Sequence, residues 1–148
     1  MSLNDLYQEI ILEHGKKPRN FGSLEGKTNE AEGTNPLCGD EVRVELVLQD
    51  DRIADIRFSG SGCAISTASA SMMTEAVRGK TKQEAVQLME KLVYAVTHDE
   101  EIPEEFGEMK ALEGVKQFPT RVKCATLSWH ALEAALNAES ETPKVTSE

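Results

Sequence analysis

The sequence predicts an α+β fold, a small antiparallel sheet with helices packed on one face. Three observations lead there. Residues 41–48 and 52–58 alternate apolar and polar side chains at period two, with the turn-forming Gln49-Asp50-Asp51 between them, so they read as an antiparallel hairpin. Apolar residues beyond the hairpin recur at three- and four-residue steps, the period of helices. The chain order is helix, strands, then a block of helices, which suits helices covering a sheet.

The first helix carries Leu3, Leu6, Tyr7, Ile10 and Ile11 as one stripe, and Gly15 and Pro18 end it. Residues 19–37 are rich in Gly, Asn and Pro and read as loop with a short edge strand. In 41–48, Val42, Val44, Leu46 and Leu48 face inward, with Glu41, Arg43 and Glu45 on the wet face. In 52–58, Ala54, Ile56 and Phe58 face inward. A helix is expected from about Cys63 to Gly79. Thr81 with Glu84 three residues on is a capping box for the next helix, whose stripe is Ala85, Leu88, Met89, Leu92 and Val96. Residues 98–118 are acidic with little periodicity and read as a surface excursion with one short helical turn. From Pro119 a last helix follows, through Val122, Ala125, Leu127, Trp129, Leu132, Ala135 and Leu136. Residues 1–137 read as one domain and 138–148 as a polar, frayed tail.

Composition excludes several function classes. Sixteen Lys+Arg against 26 Asp+Glu leave a formal charge of −10, the wrong sign for a nucleic-acid face. No apolar run approaches the roughly 20 residues that span a bilayer, and the N-terminus has no signal-peptide pattern. Three cysteines cannot all pair within one chain, which argues for reduced thiols and a cytoplasmic setting.

Those cysteines stand at element ends. Cys38 lies in Asn35-Pro36-Leu37-Cys38-Gly39-Asp40, Cys63 follows Gly60-Ser61-Gly62, and Cys124 follows Arg121-Val122-Lys123. Taken singly, each could be a buried small hydrophobe. Taken together with Asp40, they offer three thiolates and a carboxylate, a set suited to tetrahedral Zn²⁺, although the spacing has no CxxC knuckle. Such a site would sum to about −2, and Arg121 and Lys123 are available cations, or an ordinary solvated basic pair. The thiolate of Cys63 would also gain from a helix N-terminus. His14, His98 and His130 read as structural or exposed rather than as ligands.

Four stretches complete the picture: PRNFG at 18–22, NPLCGD at 35–40, GSGCAISTASASMMTEAVRGK at 60–80 and FPTRVKCATLSWHALEAAL at 118–136. Jointly they resemble the IscU/NifU-like family of iron–sulfur cluster assembly proteins over nearly the whole chain. Within it they look like the SufU-like branch. Lys123 precedes the third cysteine where scaffold-type members have histidine, 116–123 lacks their LPPVK segment, and the excursion 98–118 matches an insertion of SufU-like proteins.

The resemblance implies a SufE/IscU-like fold, Zn²⁺ bound by Cys38, Asp40, Cys63 and Cys124, sulfur acceptance on Cys38, and a supporting role for Arg121. It implies a cytoplasmic sulfurtransferase that takes persulfide sulfur from a pyridoxal-phosphate (PLP) cysteine desulfurase (SufS-like). The sulfur would pass to a downstream SufBCD-like scaffold. The alternatives are an iron–sulfur scaffold holding iron or a [2Fe–2S] cluster on the same cysteines, and a structural zinc adaptor.

Overall fold

The computed structural model describes residues 2–37, 39–138 and 144–146. In chain order it comprises α1 (Leu3–Lys16), β1 (Asn29–Asn35), β2 (Asp40–Gln49), β3 (Arg52–Ser61), α2 (Ala64–Val77) and α3 (Lys82–Thr97). A 3₁₀ segment (Glu104–Val115), α4 (Pro119–Leu136) and β4 (Lys144–Thr146) follow. The sheet order is β3-β2-β1-β4. β1, β2 and β3 are antiparallel, whereas β4 runs parallel to β1.

The expected α+β arrangement is present. Ala31, Val42, Val44, Leu46, Ile56 and Phe58 are buried on one face of the sheet. α4 packs against β1 and β2 there, and α2 against β3. Gly33 permits the close approach of α4, since a Cβ at that position would stand 3.0 Å from Leu127 Cδ1. Trp129 is fully buried and its Nε1–H donates to Ser69 Oγ at 3.2 Å, tying α4 to α2.

Four departures from the sequence reading have physical causes. β1 is interior rather than at an edge, because Glu32–Thr34 pair with Lys144–Thr146. Within the stretch expected to fray, those three residues are therefore strand, while 139–143 and 147–148 lie outside the described residues. Ala54 is exposed and Ile53 takes the inward place. The register passes from Val47↔Asp55 to Leu48↔Ile53, so Ala54 is the extra residue of a β-bulge and the alternation reverses phase across it.

Glu45 faces outward but is buried, covered by Lys27, whose Nζ lies 2.6 Å from its carboxylate. Glu45 and Glu30 hold the Lys27 ammonium above its ordinary pKa. Residues 102–115 are more than a surface excursion. Ile102, Phe106, Met109, Leu112 and Val115 are buried, and the segment kinks at Gly107, where φ is +59°.

The capping box at α3 is formed, with Glu84 N–H donating to Thr81 Oγ1 at 3.1 Å and Thr81 N–H to Glu84 Oε1 at 2.9 Å. The Thr81 amide and hydroxyl hold the Glu84 carboxyl below its ordinary range. Its contribution is therefore present at neutral pH and lost as pH falls through that lowered value. Replacing Thr81 by alanine should cost about 1 kcal/mol, read as a shift in the urea midpoint at neutral pH. An unchanged midpoint would show that packing alone holds this helix end.

Candidate metal centre

The β1–β2 hairpin ends on the pair Asn35↔Asp40, both buried, and the short loop between them contains Cys38 by sequence. Asn35 shapes that loop. Its Oδ1 accepts from Leu37 N–H at 3.2 Å, and its carbonyl accepts from Gly39 N–H at 2.8 Å. Gly39 has φ +74°, a conformation that favours glycine. Cys38 itself lies outside the described residues.

The β2–β3 register sets Glu41 opposite Ser61, which brings Gly62 and Cys63 alongside Asp40. Gly62 is what lets the carboxylate in. A Cβ there would lie 2.8 Å from Asp40 Oδ1. That oxygen accepts from Cys63 N–H at 2.9 Å, and Asp40 Oδ2 is 3.9 Å from Cys63 Sγ. Cys63 is the N-cap of α2, as expected, and its sulfur accepts from Ser66 N–H at 3.4 Å. The thiol thus stands at the N-terminus of α2, within reach of a backbone amide and of the Asp40 carboxylate.

Cys124 arrives from α4, which Pro119 starts at its first position and which packs over β1 and β2. Its buried sulfur lies 4.0 Å from Asn35 Nδ2 and 3.7 Å from the Thr120 carbonyl oxygen. One turn earlier on the same helix stands Arg121, exposed to solvent. Its guanidinium pKa is raised above the ordinary arginine value, first by the charge and hydrogen bonding of Cys63 and then by Cys124. Both thiols therefore act on the Arg121 guanidinium, which its sequence position beside Cys124 alone did not reveal.

The ligand atoms of Asp40, Cys63 and Cys124 lie within 4.8 Å of one another. In a tetrahedral site with Zn–S near 2.3 Å and Zn–O near 2.0 Å, neighbouring donors stand about 3.5–3.8 Å apart. Two thiols and a carboxylate converging at this spacing fit such an ion once the widest-spaced donors close in by about 1 Å. They leave one place for a fourth donor. Among the described residues, no histidine belongs to the cluster.

His14 is buried instead between α1 and α2, 2.7 Å from Ser71 Oγ and 3.1 Å from Glu108 Oε2. Asn35 was not singled out from the sequence. Its only signal was its position opposite Asp40 across a Pro-containing loop.

The NifU-like N terminal domain model matches residues 6–144. The chain belongs to the IscU/NifU family. Two curated relatives of this family are equally similar to it. The "Iron-sulfur cluster assembly scaffold protein IscU" of Streptococcus pyogenes is 41% identical over 97% of this chain and 91% of that protein. The "Zinc-dependent sulfurtransferase SufU" of Bacillus subtilis is 41% identical over 93% of this chain and 94% of that protein.

A crystal structure of a putative iron–sulfur cluster assembly scaffold protein for the SUF system from Fervidobacterium islandicum superposes with a TM-score of 0.83. That protein is 38% identical, and the match covers 92% of this chain and all of that one. The family's fold is thus the one described above. No helix of the described residues is long and apolar enough to cross a membrane.

Proposed function

We propose that this member of the IscU/NifU family is a zinc-dependent sulfur-transfer protein of iron–sulfur cluster assembly. It takes persulfide sulfur from a PLP cysteine desulfurase of the SufS type on Cys38 and passes it to a SufBCD-like assembly complex, in the cytoplasm. The observation that carries the reading is the convergence of Asp40, Cys63 and Cys124, whose ligand atoms lie within 4.8 Å of one another. A carboxylate among thiolates makes a mixed donor set, less electron-rich than the all-cysteine sets usual for clusters. Zinc would be held by Cys38, Asp40, Cys63 and Cys124, and bound there it keeps thiolates deprotonated at neutral pH.

The transfer itself is thiol exchange. The Cys38 thiolate attacks the outer sulfur of the desulfurase persulfide, the S–S bond breaks, and the desulfurase cysteine leaves as a thiolate. One sulfur moves: the Cys38 lone pair becomes the new S–S bond, the pair of the broken bond leaves on the desulfurase sulfur, and no external oxidant is needed. Arg121 offsets the negative charge that gathers around the sulfurs. Replacing Arg121 with alanine should lower transfer several-fold while leaving the melting temperature near that of the wild type, since the side chain is exposed. Unchanged transfer would remove Arg121 from the site's chemistry.

The scaffold reading remains a defined second possibility, because the two names occur among relatives at the same 41% identity. Desulfurase turnover with and without this protein, alongside its metal content as purified, separates the two. Stimulated turnover and about one zinc per chain support sulfur transfer. A stable [2Fe–2S] spectrum after reconstitution, with no stimulation, would replace it with the scaffold function.

A further inference from the structure

The apolar stripe of α1 is longer than the fold uses. Ile11 and His14 are buried and Tyr7 and Ile10 half-buried, but Leu3 and Leu6 remain 62% and 44% exposed. They open onto a groove of about 670 Å³ between α1 and the 3₁₀ segment. Its far wall carries Glu101, Glu104, Glu108 and Glu113 with the cation Lys110, while Lys116, outside the lining, pairs with Glu113 at 2.8 Å. Lys110 is already engaged with Glu101 at 3.3 Å and Glu104 at 3.0 Å, whose side chains are otherwise open to water. The wall is anchored rather than loose, since Glu108 bonds to the buried His14 of α1.

We propose that this groove docks a basic amphipathic helix of a partner protein. Apolar side chains of that helix would cover Leu3 and Leu6, and its lysines or arginines would meet Glu101 and Glu104. The charge of the groove decides the occupant. A second copy of this chain brings −10 to a wall of the same sign, and an anionic bilayer is repelled in the same way. The inference does not depend on the sulfur chemistry, because the groove is lined by α1 and the 3₁₀ segment and includes none of Asp40, Cys63 and Cys124.

The test uses the full chain and a synthetic peptide with leucines at i, i+4, i+7 and i+11 and lysines elsewhere. A scrambled peptide of identical composition serves as control. Fluorescence anisotropy should show the patterned peptide binding about tenfold more tightly than the scramble. Leu6→Ser, and separately the pair Glu101→Gln and Glu104→Gln, should each weaken it by about fivefold or more at unchanged melting temperature.

Equal binding of the two peptides would reduce the groove to general electrostatics and overturn the proposal. So would full affinity in both variants, or preferential binding to anionic phosphatidylglycerol vesicles. Should a variant unfold, amide shifts of the wild-type protein decide alone. They should cluster in residues 3–14 and 101–117 on peptide addition, and shifts elsewhere refute the site.

Discussion

Replacing Cys38 with serine is expected to abolish sulfur acceptance while the fold persists. The substitution exchanges a thiol for a hydroxyl of nearly the same size, so the loop between Asn35 and Asp40 keeps its turn. A hydroxyl, however, has a pKa far above that of a thiol and cannot attack a persulfide at neutral pH. The measurement is transfer of ³⁵S from labelled cysteine through the desulfurase. Wild-type protein should carry label that a reductant removes, and Cys38→Ser should carry less than about 1% of it, a loss of at least ~2.7 kcal/mol in barrier terms. Label retained on Cys38→Ser but lost on Cys63→Ser would move the acceptor to the helix N-cap. Label retained on both would leave this protein without the proposed chemistry.

The second large effect lies in the backbone. Gly60 has φ +136°, and a Cβ there would stand 2.1 Å from the Glu41 carbonyl oxygen and 3.0 Å from Val42 Cα. Neither neighbour is a flexible side-chain end, so β2 and β3 must part for any substitution. They would part next to Asp40 and two residues before the Gly62–Cys63 step that builds the cluster.

Gly60→Ala should therefore cost more than about 4 kcal/mol, a fall in melting temperature of about 10 °C or more, with loss of bound metal. Gly26 is the internal control. It also has positive φ, at +76°, but open space around it, so Gly26→Ala should cost only about 1–2 kcal/mol. Comparable melting temperatures for the two variants would contradict the close approach at Gly60.

Several of these features could be read from the chain because they depend on neighbours in sequence. The alternation Val42-Val44-Leu46 sets the inward face of β2, since successive strand side chains must point to opposite sides. Thr81 and Glu84 fix the start of α3 through two local hydrogen bonds. Cys63 at the N-cap of α2 was likewise legible, because the small residues after it mark a helix start. A bulge is different. Nothing in RIADIRF signals that Ala54 is skipped, because the cost and gain of skipping it lie in the facing strand.

The acidic stretch misled for a similar reason. Its many glutamates hide Phe106, Met109 and Leu112, which are spaced for a kinked 3₁₀ path rather than for a regular helix, and which α1 and its neighbours bury.

By itself the sequence determined the α+β class, the four family stretches, and the identity of the candidate donors Cys38, Asp40, Cys63 and Cys124. The class rests on local periodicity, the donors on residue type and position, and the family stretches on their resemblance to known members. Only the tertiary structure decided that Asp40, Cys63 and Cys124 share one 4.8 Å cluster, that Cys63 as well as Cys124 acts on Arg121, and that the front of α1 is left uncovered. The reason is distance along the chain. The cluster is assembled by strand register and by the packing of α4 across the sheet, through contacts between residues far apart in sequence that no local pattern records.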